Sequence, residues 1–128
     1  MSNSFRIRIT FGDVTNDNLL VSSIGENRYR LEEAPLLAES IFYGDIVEAE
    51  HQSDGSLLFT KVLERSGMRH YDYILPRSVF ESEGFEKLLE RIDEAGGHWT
   101  QAFGGVFLVS LPKESELNLP QEIEKLGS

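Results

Sequence analysis

Three carboxylates crowd one stretch of this chain: Asp45, Glu48 and Glu50 stand in the run Phe42-Tyr43-Gly44-Asp45-Ile46-Val47-Glu48-Ala49-Glu50. Two acids held in one cleft with separated pKa values could work as general acid and base in a hydrolysis. The spacing favours scaffold over chemistry. Gly44-Asp45 is a turn dipeptide, Ile46 and Val47 suit a pleated strand, and Glu48 and Glu50, two residues apart, share its wet side. His51, His70 and His98 lie far apart and form no H-x-x-x-H or H-E-x-x-H spacing, so no metal is expected. Gly96-Gly97 and Gly104-Gly105 match neither G-x-G-x-x-G nor a P-loop, and fit a helix end and a hairpin turn instead. Ser66-Gly67 is not a nucleophile elbow. The chain has no cysteine, which removes disulfides, thiolate metal sites and a cysteine nucleophile. These readings leave no catalytic set and no cofactor. Trp99, the single tryptophan, can fill a core or anchor an interface. Tyr29, Tyr71 and Tyr73, with Arg28, Arg30 and Arg69 nearby in sequence, form a second candidate recognition face, although strand alternation sends half of such residues inward.

The elements that would position these residues begin with Phe5 to Phe11, where Phe5, Ile7, Ile9 and Phe11 alternate with Arg6, Arg8 and Thr10 as in a strand with one wet face. Gly12-Asp13 and Asn16-Asp17-Asn18 read as a polar connection, followed by a short apolar run from Leu19 to Ile24. Gly25-Glu26-Asn27 turns the chain into a strand around Tyr29 and Leu31. Pro35 cannot donate to a ladder, so residues 34–40 are expected at an edge or in a crossover. The Gly44-Asp45 strand follows, and Asp54-Gly55 turns it onto Leu57 to Leu63. Short strands with turns about every eight to twelve residues predict a curved antiparallel sheet or small partial barrel.

Beyond Pro76 the period changes. Either Ser78, with Glu81 three residues on, or Ser82 caps a helix whose apolar side is Phe85, Leu88, Leu89 and Ile92. Its other side carries Glu86, Lys87, Glu90, Arg91 and Glu94, and the like-charged Glu86 and Glu90 are expected to be partly offset by Lys87 and Arg91. Gly96-Gly97 ends the helix, residues 98–102 and 106–111 form a hairpin, and Asn118 caps a last helix with Leu119, Ile123 and Leu126 inward. The expected fold class is therefore α+β: a β-rich first part, residues 1–76, and an α+β second part, residues 77–128, completing a shared core. Strand 70–75 could belong to the second part, whose order of strand, helix, strand, strand, helix suits a split β-α-β arrangement.

With 128 residues, 40% of them apolar, the chain can fill one ordinary core. Twelve basic against twenty-two acidic side chains give a net charge of −10, which repels phosphate backbones and argues against nucleic acid as partner. A cut after Pro76 leaves seven basic and twelve acidic residues before it and five and ten after it, a balance of −5 on each side. No apolar run approaches the roughly 20 residues of a membrane span, and Met1 to Arg6 lacks the apolar region of a secretory signal, so a cytoplasmic protein without membrane contact is expected.

The stretches Tyr29-Arg30-Leu31 to Pro35, Tyr43 to Ala49, Leu58-Phe59, Val62 to Ser66-Gly67 and Val106 to Pro112 resemble a bacterial family of small proteins known only as a domain of unknown function. That family combines a Gly-Asp-x-Val-x-Ala turn and strand with a Ser-Gly turn and an α+β second half. Leu36 stands where the family usually has phenylalanine, and Met68 where histidine is common. The resemblance implies no activity.

The reading that follows is a non-enzymatic cytoplasmic module whose acidic surface binds a basic protein, most concretely a bacterial immunity protein that blocks a nuclease-type toxin. Glu32, Glu33, Glu48, Glu50 and Asp54, with Trp99, are its expected contacts. A small-molecule module with a pocket between the two halves is the alternative, and a hydrolase using paired carboxylates is the third.

Overall fold

The alternation of β1 (Ser4–Phe11) fixes an inner side: Ile9 and Phe11 are buried while Arg6 and Arg8 face solvent. In the computed structural model, which describes residues 3–126, β1 begins a meander through β2 (Val14–Gly25), β3 (Arg28–Leu31), β4 (Ile46–His51) and β5 (Leu57–Glu64). Each strand is antiparallel to the one before. An odd number of meandering strands leaves the first and last pointing the same way, and β5 closes onto β1 in parallel, with Ile9 opposite Leu57 and Thr10 opposite Leu58. The expected open sheet or partial barrel is therefore a closed five-stranded barrel with one parallel seam. Its interior is filled by Ile9, Val21, Leu31, Val47, Ala49 and Leu57, each with no exposed surface.

Asn16-Asp17-Asn18 does not form a connection. Strand β2 starts at Val14 and runs through all three residues, after a tight turn at Gly12-Asp13. The polar run is tolerated because Asn16 is buried with both halves of its amide satisfied. Its Nδ2 donates to the carbonyl of Leu36 at 3.1 Å, and its Oδ1 accepts from Leu36 N–H at 2.8 Å. That exchange also pins the non-strand segment after Pro35.

A second compact unit starts at Gly67, so the chain divides after Ser66. It contains β6 (Arg69–Ile74), α1 (Arg77–Phe80), α2 (Glu83–Glu94), β7 (His98–Ala102), β8 (Val106–Leu111) and α3 (Leu119–Leu126). Its sheet has the order β6-β8-β7, with both outer strands antiparallel to β8. One side of the sheet, including Tyr71, Tyr73, Trp99, Phe107 and Val109, joins Phe85, Leu88 and Ile92 of α2 and Leu119 of α3 in a core cluster distinct from that of the barrel. Ser78 lies inside α1 and caps nothing. Ser82 caps α2, its Oγ accepting from Phe85 N–H at 3.2 Å, and Asn118 caps α3 through Gln121 N–H at 3.2 Å. Among the described residues, no helix is long and apolar enough to cross a membrane.

Candidate functional site

Asp45, Glu48 and Glu50 do not converge. Asp45 is fully buried at the mouth of β4, where its Oδ2 accepts from Phe42 N–H and Arg65 Nη1, each at 3.0 Å, and its Oδ1 accepts from Ser66 N–H at 2.9 Å. Both oxygens are occupied in holding the residue 40–45 turn against the end of β5. Glu48 and Glu50 alternate with the buried Val47 and Ala49 and so point outward. Glu48 Oε2 accepts from Thr60 Oγ1 at 2.7 Å, and its Cα neighbours across the ladder are Arg28 and Lys61. A buried structural carboxylate and two surface ones on the far side of a strand cannot share one reacting atom, which removes this trio as a hydrolytic pair.

The histidines are likewise engaged. His51 Nε2 lies 2.9 Å from Tyr29 Oη, and His70 Nδ1 lies 2.7 Å from Ser110 Oγ. Topology does what sequence spacing hid: Ser110 on the central strand is directly opposite both His70 on β6 and His98 on β7. Ser110 is buried, and its bond to His70 ties two strands across the face turned away from α2 and α3. Among the described residues, no group of three or more His, Cys, Asp or Glu side chains is placed to hold a metal ion. Gly96, at φ 80°, takes the left-handed position after α2, and a Cβ on Gly97 would come within 2.8 Å of the Ser110 carbonyl. Both glycines serve the chain's path.

The acids expected to meet a partner fall into two groups. Glu33 accepts from Arg6 Nη1 and Nη2, at 2.8 and 3.0 Å, and also from Leu20 N–H at 3.1 Å. Asp54 accepts from Ser56 Oγ at 2.5 Å and Ser56 N–H at 2.9 Å, and these bonds hold its carboxyl below the usual aspartate range. Asp54 lines an open depression with Arg8, Asp17, Gly55 and Ser56, where Arg8 is paired with Asp17 at 3.0 Å. Both acids are therefore engaged in intramolecular bonds. Glu32, Glu48 and Glu50 remain on the barrel surface, with Glu32 near Tyr43, whose hydroxyl pKa is raised by burial and, secondarily, by that charge. Trp99 is half-buried against the core cluster of the second unit.

A different acidic surface, whose Glu86, Glu90 and Glu94 the sequence places on the outer side of a helix, was not among the expected contacts. On α2, Phe85, Leu88 and Ile92 face the core, so 3.6 residues per turn bring Glu83, Glu86, Glu90, Asp93 and Glu94 to the solvent side. Arg91 does not offset them. Its Nη1 reaches Glu122 Oε2 on α3 at 2.8 Å, where Glu122 also meets Lys125 at 3.7 Å. Among the described residues Lys87 joins no ion pair, and neither do those five acids of α2. The available signal was the Glu86–Glu90 pair itself, since like charges one turn apart cost stability unless something compensates them.

A closed barrel followed by a small helix-backed sheet defines an α+β protein. The sequence profile of a family described as a domain of unknown function (DUF4265) matches residues 17–125, and the chain belongs to that family. That description names no activity. Among solved structures, the fold is similar to that of a crystal structure described as a hypothetical protein from Neisseria gonorrhoeae. That likeness has a TM-score of 0.60 and 19% identity, and covers 96% of this chain and 84% of that one, which speaks for the fold alone. A comparison with curated proteins finds no match.

Proposed function

We propose that this chain is a non-enzymatic, cytoplasmic binding module whose acidic exterior engages a basic protein, and that a bacterial immunity protein against a nuclease-type toxin is its most concrete form. The observation that carries the reading is α2: five carboxylates on its solvent side with no ion-pair partner among the described residues, in a chain of net charge −10. Such a surface imitates the phosphates a basic nuclease binds and accelerates encounter with it. The split β-α-β reading of the second unit accords with this role, because β6 and β7 run parallel on either side of β8 and leave α2 spread over one face.

The test is titration calorimetry of the protein against the purified products of the genes flanking its own, at low and at physiological salt. A basic product should bind, its affinity should fall as salt rises, and a Glu86→Lys, Glu90→Lys, Asp93→Lys variant should lose about tenfold or more. Binding that ignores both salt and charge reversal, or no binding by any basic neighbour, rejects the proposal.

A further inference from the structure

The barrel has no free edge, whereas the three-stranded sheet has two, and they are not alike. The β6 edge carries Arg69 and Asp72 and runs into Pro76, the kinds of residue that discourage further pairing. The β7 edge, His98-Trp99-Thr100-Gln101-Ala102, has no charged residue, no proline and no bulge in its register with β8. Apart from that ladder, residues Trp99 to Ala102 make no backbone hydrogen bond among the described residues. Four residues, Trp99 to Ala102, at about 3.4 Å each give an open edge about 14 Å long.

What lies beside that edge selects its occupant. Helix α2 packs on β7 and on α3, and the chain leading into α3 is held to β6 by Arg69 Nη2 donating to the Ser115 carbonyl at 2.7 Å. The α3 side of α2 is marked by Arg91, bonded to Glu122, and by Gly84, whose absent Cβ would fall 2.8 Å from Leu126. At about 100° per residue, Glu86, Glu90 and Asp93 then lie on the opposite flank, the flank toward the open edge of β7. A second copy paired there would bring two such flanks together and set like charges against each other. A basic segment would neutralise them.

We propose that the β7 edge accepts an extended basic segment of a partner protein as a fourth, added strand. The proposal rests on the reading given above and supplies its mode of recognition. Main-chain bonds to β7 would give affinity, and alternate lysine or arginine side chains, about 7 Å apart along one face of the added strand, would meet the acids spaced along α2.

The probe is an acetylated octapeptide of alternating lysine and threonine, compared with a peptide of the same composition with lysines and threonines in separate blocks. Trp99, on β7 and the chain's sole tryptophan, reports binding by fluorescence, and amide exchange reports where it occurs. The alternating peptide should bind about fivefold or more tighter, slow exchange at alternate amides of residues 99–102, and lose binding when N-methylated along one edge but not the other. The Glu86→Lys, Glu90→Lys, Asp93→Lys variant should weaken it about tenfold. Equal, salt-sensitive binding of both peptides without protection of β7 overturns the added strand while sparing the acidic-surface reading. Binding of neither peptide at low salt overturns both. A concentration-dependent dimer protected at β7 without peptide assigns the edge to a second copy and overturns the proposed occupant.

Discussion

The two units carry the same formal charge and use it differently. Each contains six basic and eleven acidic residues, a balance of −5. In the barrel, Arg6, Arg8 and Arg65 are bound to Glu33, Asp17 and Asp45, and closure leaves no strand edge. In the second unit, Arg91 and Lys125 both meet the single acid Glu122, α2 keeps five acids without an ion-pair partner among the described residues, and the sheet ends in an unguarded strand. Equal charge thus surrounds a closed set of strands with scattered acids in one case, and in the other lines one helix with five acids beside an open strand edge. The number of acids says little about recognition; what matters is whether the local fold has already spent them.

The contrast breaks most sharply at Asp45. Its carboxylate is buried and bound by two backbone N–H groups and one guanidinium, so Asp45→Ala strands Phe42 N–H and Ser66 N–H and should cost about 3 kcal/mol. Urea unfolding checks this; a loss under about 1 kcal/mol would mean that water substitutes freely and that the barrel is less self-contained than its bonds imply. In the second unit the corresponding weak point is steric. Gly97→Ala drives a methyl into the Ser110 carbonyl at 2.8 Å and into Ile92 and Leu111 at 2.9 Å, a cost of about 2 kcal/mol by the same measurement. An unchanged midpoint would show that β7 moves easily relative to β8, and would remove the rigid edge on which strand addition depends.

Alkaline titration sharpens the comparison from another side. Burial raises the hydroxyl pKa of Tyr29 and Tyr43 in the barrel and of Tyr73 in the second unit above the ordinary value of 10.0. A folded pKa above the unfolded one contributes stability that is complete below about pH 10 and is lost as pH rises through the folded value. Stability should therefore fall above pH 10, and Tyr43→Phe should flatten that fall. A pH profile identical to that of the unsubstituted protein would contradict burial as the cause.

Much of this architecture is legible in the residues. Alternation in Phe5 to Phe11, Asp54-Gly55, the 3.6-residue spacing from Phe85 to Ile92 and Gly96-Gly97 each name an element by local physics, and each element forms. What could not be read depends on pairing between distant segments. The parallel seam of β1 with β5 closes the barrel, Leu36 satisfies the amide that lets Asn16 sit within a strand, and register alone sets Ser110 between His70 and His98. The candidate contacts divide for the same reason. Glu33 looks free in sequence until Arg6 arrives from 27 residues away, and Arg91 looks like a partner for Glu90 until Glu122 of α3 takes it.

The smallest expected effect bears most directly on function. Glu86 and Glu90, one turn apart on α2 and free of counter-charge, should repel by a few tenths of a kcal/mol, so Glu86→Gln with Glu90→Gln should slightly stabilise the protein. The same change should weaken binding to a basic partner and make it less sensitive to salt, because two charges of the docking flank are gone. Stability and recognition then move in opposite directions, as expected for side chains whose cost to the fold is offset only in a complex. Parallel urea unfolding and calorimetry decide the matter. If the double variant is instead less stable, these acids already have a compensating interaction within the chain. The acids of α2 would then be spent within the fold, as Glu33 and Asp45 are in the barrel.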